Sequence, residues 1–224
     1  MRLSQVILAT LVFTLFLQSK TVVAGALRVI SPQIGETRDL STEARKRYEK
    51  GESFADGEDF FAIIGNGCSW YCGGQVTAVR ASSELMPQGK LTYLATNAHD
   101  DSLATAWVEG KEGTGIGEWI EYELPPQRPR ITTIRVFNGM VKSQKLWKAN
   151  SRIKELRLTV NETPYATLML EDVSAQQSFE LGVIEPPDST KPLVLRFTIL
   201  SVYPGTKYSD TALTELYFDG VGVH

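Results

Sequence analysis

From Gln75 onward, apolar and polar residues alternate in short stretches bounded by Gly, Pro, Asn and Asp. In RIKELRLTV, residues 152–160, Leu156, Leu158 and Val160 fall on one side while Arg157 and Thr159 fall on the other, the period of a strand buried on one face. The same pattern predicts strands in QVTAVRASS, EWIEYEL, ITTIRVFNG, YATLML, QSFELGV, LVLRFTILSV and LTELYFDG. NETP at 161–164 and EPPDSTKP at 185–192 read as turns, because proline and Asn/Asp preset bent backbone. About eight strands with almost no helix predict an all-β fold, a two-sheet jelly-roll sandwich over residues 75–224.

The segments before it are different in kind. Residues 1–26 carry Arg2, an apolar run from Val6 to Leu17, and small residues at Ala24 and Ala26, the pattern of a cleaved secretory signal peptide. The expected location is therefore secreted or periplasmic, without a stable membrane span. Residues 27–74 form an N-terminal extension, rich in charge at DLSTEARKRYEKGESFADGEDF. Within it, Asp39 and Ser41 are suited to cap a short surface helix closed by Gly51.

Charge narrows the partners. The formal net charge is −3, and removing Arg2 and Lys20 with the leader (−3 − 2) makes it −5. Such a surface gives no general attraction to phosphate backbones or anionic lipids, so nucleic acid is not an expected partner. The two cysteines, Cys68 and Cys72, stand in GNGCSWYCGG, where an oxidising compartment would allow a small structural disulfide across a turn. The alternative is zinc, with His99 and His224 completing four ligands.

Catalytic signatures are sparse. The chain has two histidines, His99 and His224, and no nucleophile elbow, phosphate-cradling loop or dinucleotide fingerprint accompanies them. Hydrolysis by clustered acids is the remaining enzymatic reading, drawing on Asp100, Asp101, Glu109, Glu112, Glu118, Glu121 and Glu215. A structural Ca2+ ion is a second use for the loop NAHDDSLATAWVEG, residues 97–110. Asp100, Thr105 and the carbonyls near Ala98 and Ser102 are spaced so that one curl can turn several oxygens inward. Capping of a helical turn by Asp100 or Asp101 is the simpler alternative.

That loop, together with GIGEWIEYEL, ITTIRVFNGMVKSQKLWKANSRIKELRLTV and ILSVYPGTKYSDTALTELYF, resembles the glycan-binding, translocation-type domain of secreted bacterial NAD glycohydrolases. More distantly it is similar to the discoidin or factor V/VIII C-type group with the galactose-binding jelly-roll fold. The resemblance spans about residues 75–222. It implies a binding domain rather than the NAD-cleaving one, and a D-G-D-x-x-T-x-W loop holding calcium with a glutamate of the last strand. Carried over, the metal residues are Asp100, Thr105 and Glu215, with backbone oxygen from Ser102. Asp101 stands where the pattern has glycine, and Ser102 where it has aspartate.

Sugar recognition needs an aromatic face for C–H surface and planar polar groups for hydroxyls. Residues 138–152 offer Asn138, Lys142, Trp147, Asn150 and Arg152; residues 201–211 offer Tyr203, Lys207, Tyr208 and Asp210. Either set can instead brace its own loop. The reading is an exported, non-catalytic protein that binds a glycan or cell-surface carbohydrate, with an envelope protein-interaction or structural module as the alternative.

Overall fold

The computed structural model describes residues 27–35, 46, 47, 50, 76–126, 130–186 and 188–221. The expected signal peptide, Cys68, Cys72 and His224 lie outside the described residues. Of the helix expected after Ser41, only Lys46, Arg47 and Lys50 are described, and the Lys50 N–H donates to the Lys46 carbonyl at 3.1 Å.

Among the described residues, all eight predicted strands are present, and three short ones join them. In chain order they are β1 (Arg28–Ile30), β2 (Gln33–Ile34), β3 (Ala78–Ala81), β4 (Trp107–Val108), β5 (Trp119–Leu124), β6 (Ile131–Asn138), β7 (Ser151–Val160), β8 (Thr163–Met169), β9 (Gln176–Ile184), β10 (Leu193–Tyr203) and β11 (Thr211–Gly220). One layer runs β3-β5-β10-β7-β8-β1, and the other β2-β9-β6-β11-β4. Among the described residues, only Thr211↔Ser151 and Ala212↔Arg152, a short parallel contact, join them into one hydrogen-bonded ladder.

Inward side chains of both layers meet in a single apolar cluster. Tyr122 and Phe197 come from the first layer, Phe179 and Phe218 from the second. The Tyr122 and Phe218 rings meet edge to face at 5.2 Å, and Phe197 lies 6.4 Å from Phe218. Each such buried ring contributes about 1.5–3 kcal/mol through burial alone.

Residues 27–35 belong to the sandwich more closely than their composition suggests. β1 adds in parallel to β8 and β2 adds antiparallel to β9, so one segment closes an edge of each layer. Arg28 holds it there, donating from Nη1 to Tyr165 Oη and to the Leu181 carbonyl. Two layers that expose unpaired edge strands gain from such a cover.

Strand β11 is buried from Thr211 through Phe218. A 3-10 segment, Ala95–His99, and the loop behind it lie across β11. This is why a strand residue as polar as Glu215 has no exposure.

Candidate functional site

The loop that crosses β11 is built around Glu215. Its Oε1 accepts the backbone N–H groups of Asp100 at 3.3 Å and Ser102 at 3.1 Å. The Asp100 carboxylate in turn accepts the Thr105 hydroxyl at 2.7 Å and the Ser102 N–H at 3.1 Å. Asp101 turns the chain between them with φ of +58°, a left-handed conformation that glycine adopts freely and aspartate tolerates. Aspartate in a glycine position is thereby accommodated.

Glu215 Oε2 is buried and has no hydrogen-bond partner. Burial pushes the carboxyl well above the usual carboxylate range, and the charges of Asp100 and Asp101 push it further, against the lowering effect of the Ser102 N–H. An orphaned carboxylate oxygen beside a second carboxylate fits a hard cation that takes oxygen ligands. Among the described residues no three His, Cys, Asp or Glu side chains gather as a metal site. A cation here would therefore lean on Asp100, Glu215, the Thr105 hydroxyl and backbone oxygen such as that of Ser102. His99 Nδ1 lies 2.9 Å from the Leu216 carbonyl, and burial holds its pKa below the usual value against the raising effects of that contact and of the Asp101 and Asp100 charges.

The second group of candidate residues divides by burial. Ser143 caps a helix, α1 (Gln144–Ala149), its Oγ accepting the Leu146 N–H. Residues 138–152 are thus not an open loop. Trp147, 9% exposed, turns inward and donates from Nε1 to the Asn138 carbonyl at 3.0 Å. Arg152 lies 4.6 Å over the Trp147 ring and forks onto Asp172 at 2.7 and 3.1 Å. Asn138 clasps Ile153 through both its N–H and carbonyl, at 3.0 and 2.7 Å. Asn150 donates to the Leu146 carbonyl, closing α1. Lys142 is half-buried. Tyr203 is half-buried too, donating from Oη to the Leu170 carbonyl.

Residues 201–211 are zipped onto the end of α1. The N–H groups of Thr206, Lys207 and Tyr208 donate to the Lys148 and Ala149 carbonyls, and the Ser151 N–H donates to the Asp210 carbonyl. Gly205 makes the approach possible, since a Cβ there would sit 2.4 Å from the Ala149 oxygen. The two candidate segments therefore share one end of the sandwich. Tyr208 projects from it, 41% exposed, with Lys207 Nζ 4.7 Å over its ring. Asp210 is half-buried beside them.

One residue of this end, Tyr93, was not selected by sequence reading, and a second, Glu109, was read only as a hydrolytic acid. Tyr93 lies within electrostatic reach of Tyr208 and Asp210, and burial together with those charges holds its phenol above the usual range. Its signal was an aromatic in the turn-rich segment QGKLTYL. Glu109, weighed among the hydrolytic acids, is fully buried and tethers the neighbouring loop: its carboxylate accepts the Thr211 N–H at 3.1 Å and the Lys111 N–H at 2.8 Å. Other members of that acid set are also engaged, Glu121 with Arg196 and Glu118 with Ser82 and Ser83.

The fold and loop together define a discoidin-like β-sandwich. The chain belongs to the family described as the NAD glycohydrolase translocation F5/8 type C domain, which matches residues 70–219. Among solved structures, it is similar to the CBM32-1 and CBM32-2 domains of Clostridium perfringens ZmpB, at 13% identity and a TM-score of 0.51, covering 87% of this chain and 41% of that one. The structure of those domains with the M60 catalytic domain aligns at 11% identity and a TM-score of 0.52, covering 91% of this chain and 18% of that one. The CBM32 pair in complex with GalNAc aligns at 13% identity and 0.50, covering 87% and 40%. This chain thus spans less than half of each of these structures. No curated protein matches it. No helix among the described residues is long and apolar enough to cross a membrane.

Proposed function

We propose that this chain is an exported, non-catalytic glycan-binding module that takes sugar at the end of the sandwich bearing Tyr208. The observation that carries the reading is the zipping of residues 201–211 onto α1, which sets Lys207, Tyr208 and Asp210 on one rim near Tyr93. An exposed ring offers C–H stacking, while a cation and a carboxylate beside it offer donors and acceptors to hydroxyls. Asn138, Trp147, Asn150 and Arg152 support that rim from beneath instead of touching ligand. Membership of a translocation-domain family and similarity to CBM32 structures agree with this assignment. Structural calcium at Asp100, Ser102, Thr105 and Glu215 would stiffen the loop over β11. Retention on a glycan array or in affinity electrophoresis tests the proposal, and binding that is unchanged in Tyr208→Ala would refute the rim.

A second reading, a contact module for an envelope protein, is favoured by the exposed Met86 and Leu91, 78% and 52% accessible. Co-purification of a defined protein that sugars do not compete away, lost in Met86→Ser, would select it.

A further inference from the structure

The outer face of the β5-β10-β7 layer carries a groove of about 950 Å³, away from the rim. Its floor is set by strand register. Arg157, Thr198 and Trp119 are paired in one row, and Thr159, Arg196 and Glu121 in the next. Directly paired residues project to the same face, so two arginines and two threonine hydroxyls stand side by side. The β7–β8 hairpin, with Pro164 at the start of β8, and the turn before β10, with Pro192, wall it.

The floor is stiff where it is charged. The Arg196 guanidinium lies 4.3 Å over the Trp119 ring and contacts Glu121 Oε2 through Nε at 2.9 Å and Nη2 at 2.7 Å. Glu121 is nearly buried, its side chain 11% exposed. A planar guanidinium held between a ring and a carboxylate loses little freedom when it meets a ligand. Donor and acceptor then sit next to each other, the pattern that neighbouring sugar hydroxyls match.

Charge selects among ligands. The lining holds three cations, Arg157, Arg196 and Lys191, and three anions, Glu121, Glu162 and Asp188, so the sum is zero and neither a polyanion nor a polycation is favoured. Its apolar surface comes from Val194, Pro164 and Pro192, which offer C–H contact without a large anchor of the kind on which protein interfaces depend. A neutral, hydroxyl-rich chain complements this balance, and the volume lies at the upper end of the roughly 300–1,000 Å³ of small-ligand sites.

We infer that this groove is a second carbohydrate site, taking a short stretch of neutral oligosaccharide across β7 and β10. Position separates it from the rim: β7 leaves the rim at Ser151, and Arg157 lies six positions on, roughly 20 Å along the strand. Two sites on one module raise the effective affinity for a long glycan without either being tight alone.

The test uses isotope-labelled full chain titrated with cellotetraose, chitotetraose, maltotetraose and a β-linked galactotetraose, and separately with a sulfated heparin-type tetrasaccharide. At least one neutral tetrasaccharide should move the Arg196 Nε–H and Thr198 amide signals. Arg157→Ala and Thr198→Val, made separately and checked for unchanged unfolding temperature, should each weaken that ligand about tenfold. Tyr208→Ala should leave these shifts intact, so failure at the rim and failure at the groove are separable. The inference is overturned if no neutral tetrasaccharide moves the two signals, if only the sulfated one does, or if both groove variants bind within twofold of the parent.

Discussion

Glu215 on β11 and Asp100, 115 positions earlier, are joined by a hydrogen bond from the Asp100 N–H to Glu215 Oε1 at 3.3 Å. The other Glu215 oxygen is buried without a hydrogen-bond partner, and it is there that the proposed calcium would bind. Calcium at about a hundredfold excess over its dissociation constant should raise the unfolding temperature by on the order of 5–10 °C. Asp100→Asn and Glu215→Gln should lose that increment. Differential scanning fluorimetry with calcium and with chelator measures it, and equal shifts in all three proteins would remove the cation from the loop.

Asn138 and Trp147 test the division between support and contact. Asn138→Ala leaves the Ile153 N–H and carbonyl without their clasp in a buried setting, at a cost of about 2–4 kcal/mol. Trp147→Ala should cost about 3–5 kcal/mol through the lost ring. Urea unfolding reports both. A destabilisation under 1 kcal/mol for Trp147→Ala, with sugar binding abolished, would return that ring to the ligand.

Tyr208 should behave in the opposite way. Its ring is exposed, so Tyr208→Ala should change stability by no more than about 0.5 kcal/mol while glycan retention falls by about tenfold or more. Tyr93→Ala should show a smaller loss of retention. The comparison is made by affinity electrophoresis of the native chain beside the two variants.

The strands were legible because burial on one side of a pleat writes itself into alternation, as Leu156, Leu158 and Val160 show against Arg157 and Thr159. β1, β2 and β4 span only two or three residues, too few for a period to register. The direction of Trp147 was not legible at all. It is decided by Asn138, Arg152 and Asp172, which only the tertiary fold brings to one place. Family resemblance nominated Asp100, Thr105 and Glu215 together, a grouping that spacing alone would not have extended to the last strand. Tyr93 escaped, and Glu109 was read as an acid and not as a tether, because their significance depends on the position of residues 208–211, more than a hundred positions away in Glu109's bond to the Thr211 N–H.

Glu109 offers a pH test that does not involve the proposed cation ligands Asp100, Ser102, Thr105 and Glu215. Desolvation raises its pKa despite two backbone N–H donors, and Asp210 and Glu118 raise it further. The folded protein therefore binds this proton more tightly than the unfolded chain does. Where folding favours the protonated form, stability falls as pH rises from the unfolded carboxyl value through the folded one. Glu109→Gln removes that titration but keeps the shape, so the variant should gain relative to the parent as pH rises above the ordinary glutamate value of about 4.3. Urea midpoints of both proteins from that value upward measure the difference, which cancels every other titrating group they share. A parent that gains on the variant as pH rises would mean that the N–H groups of Thr211 and Lys111 outweigh burial, and that the carboxylate is the form the fold prefers.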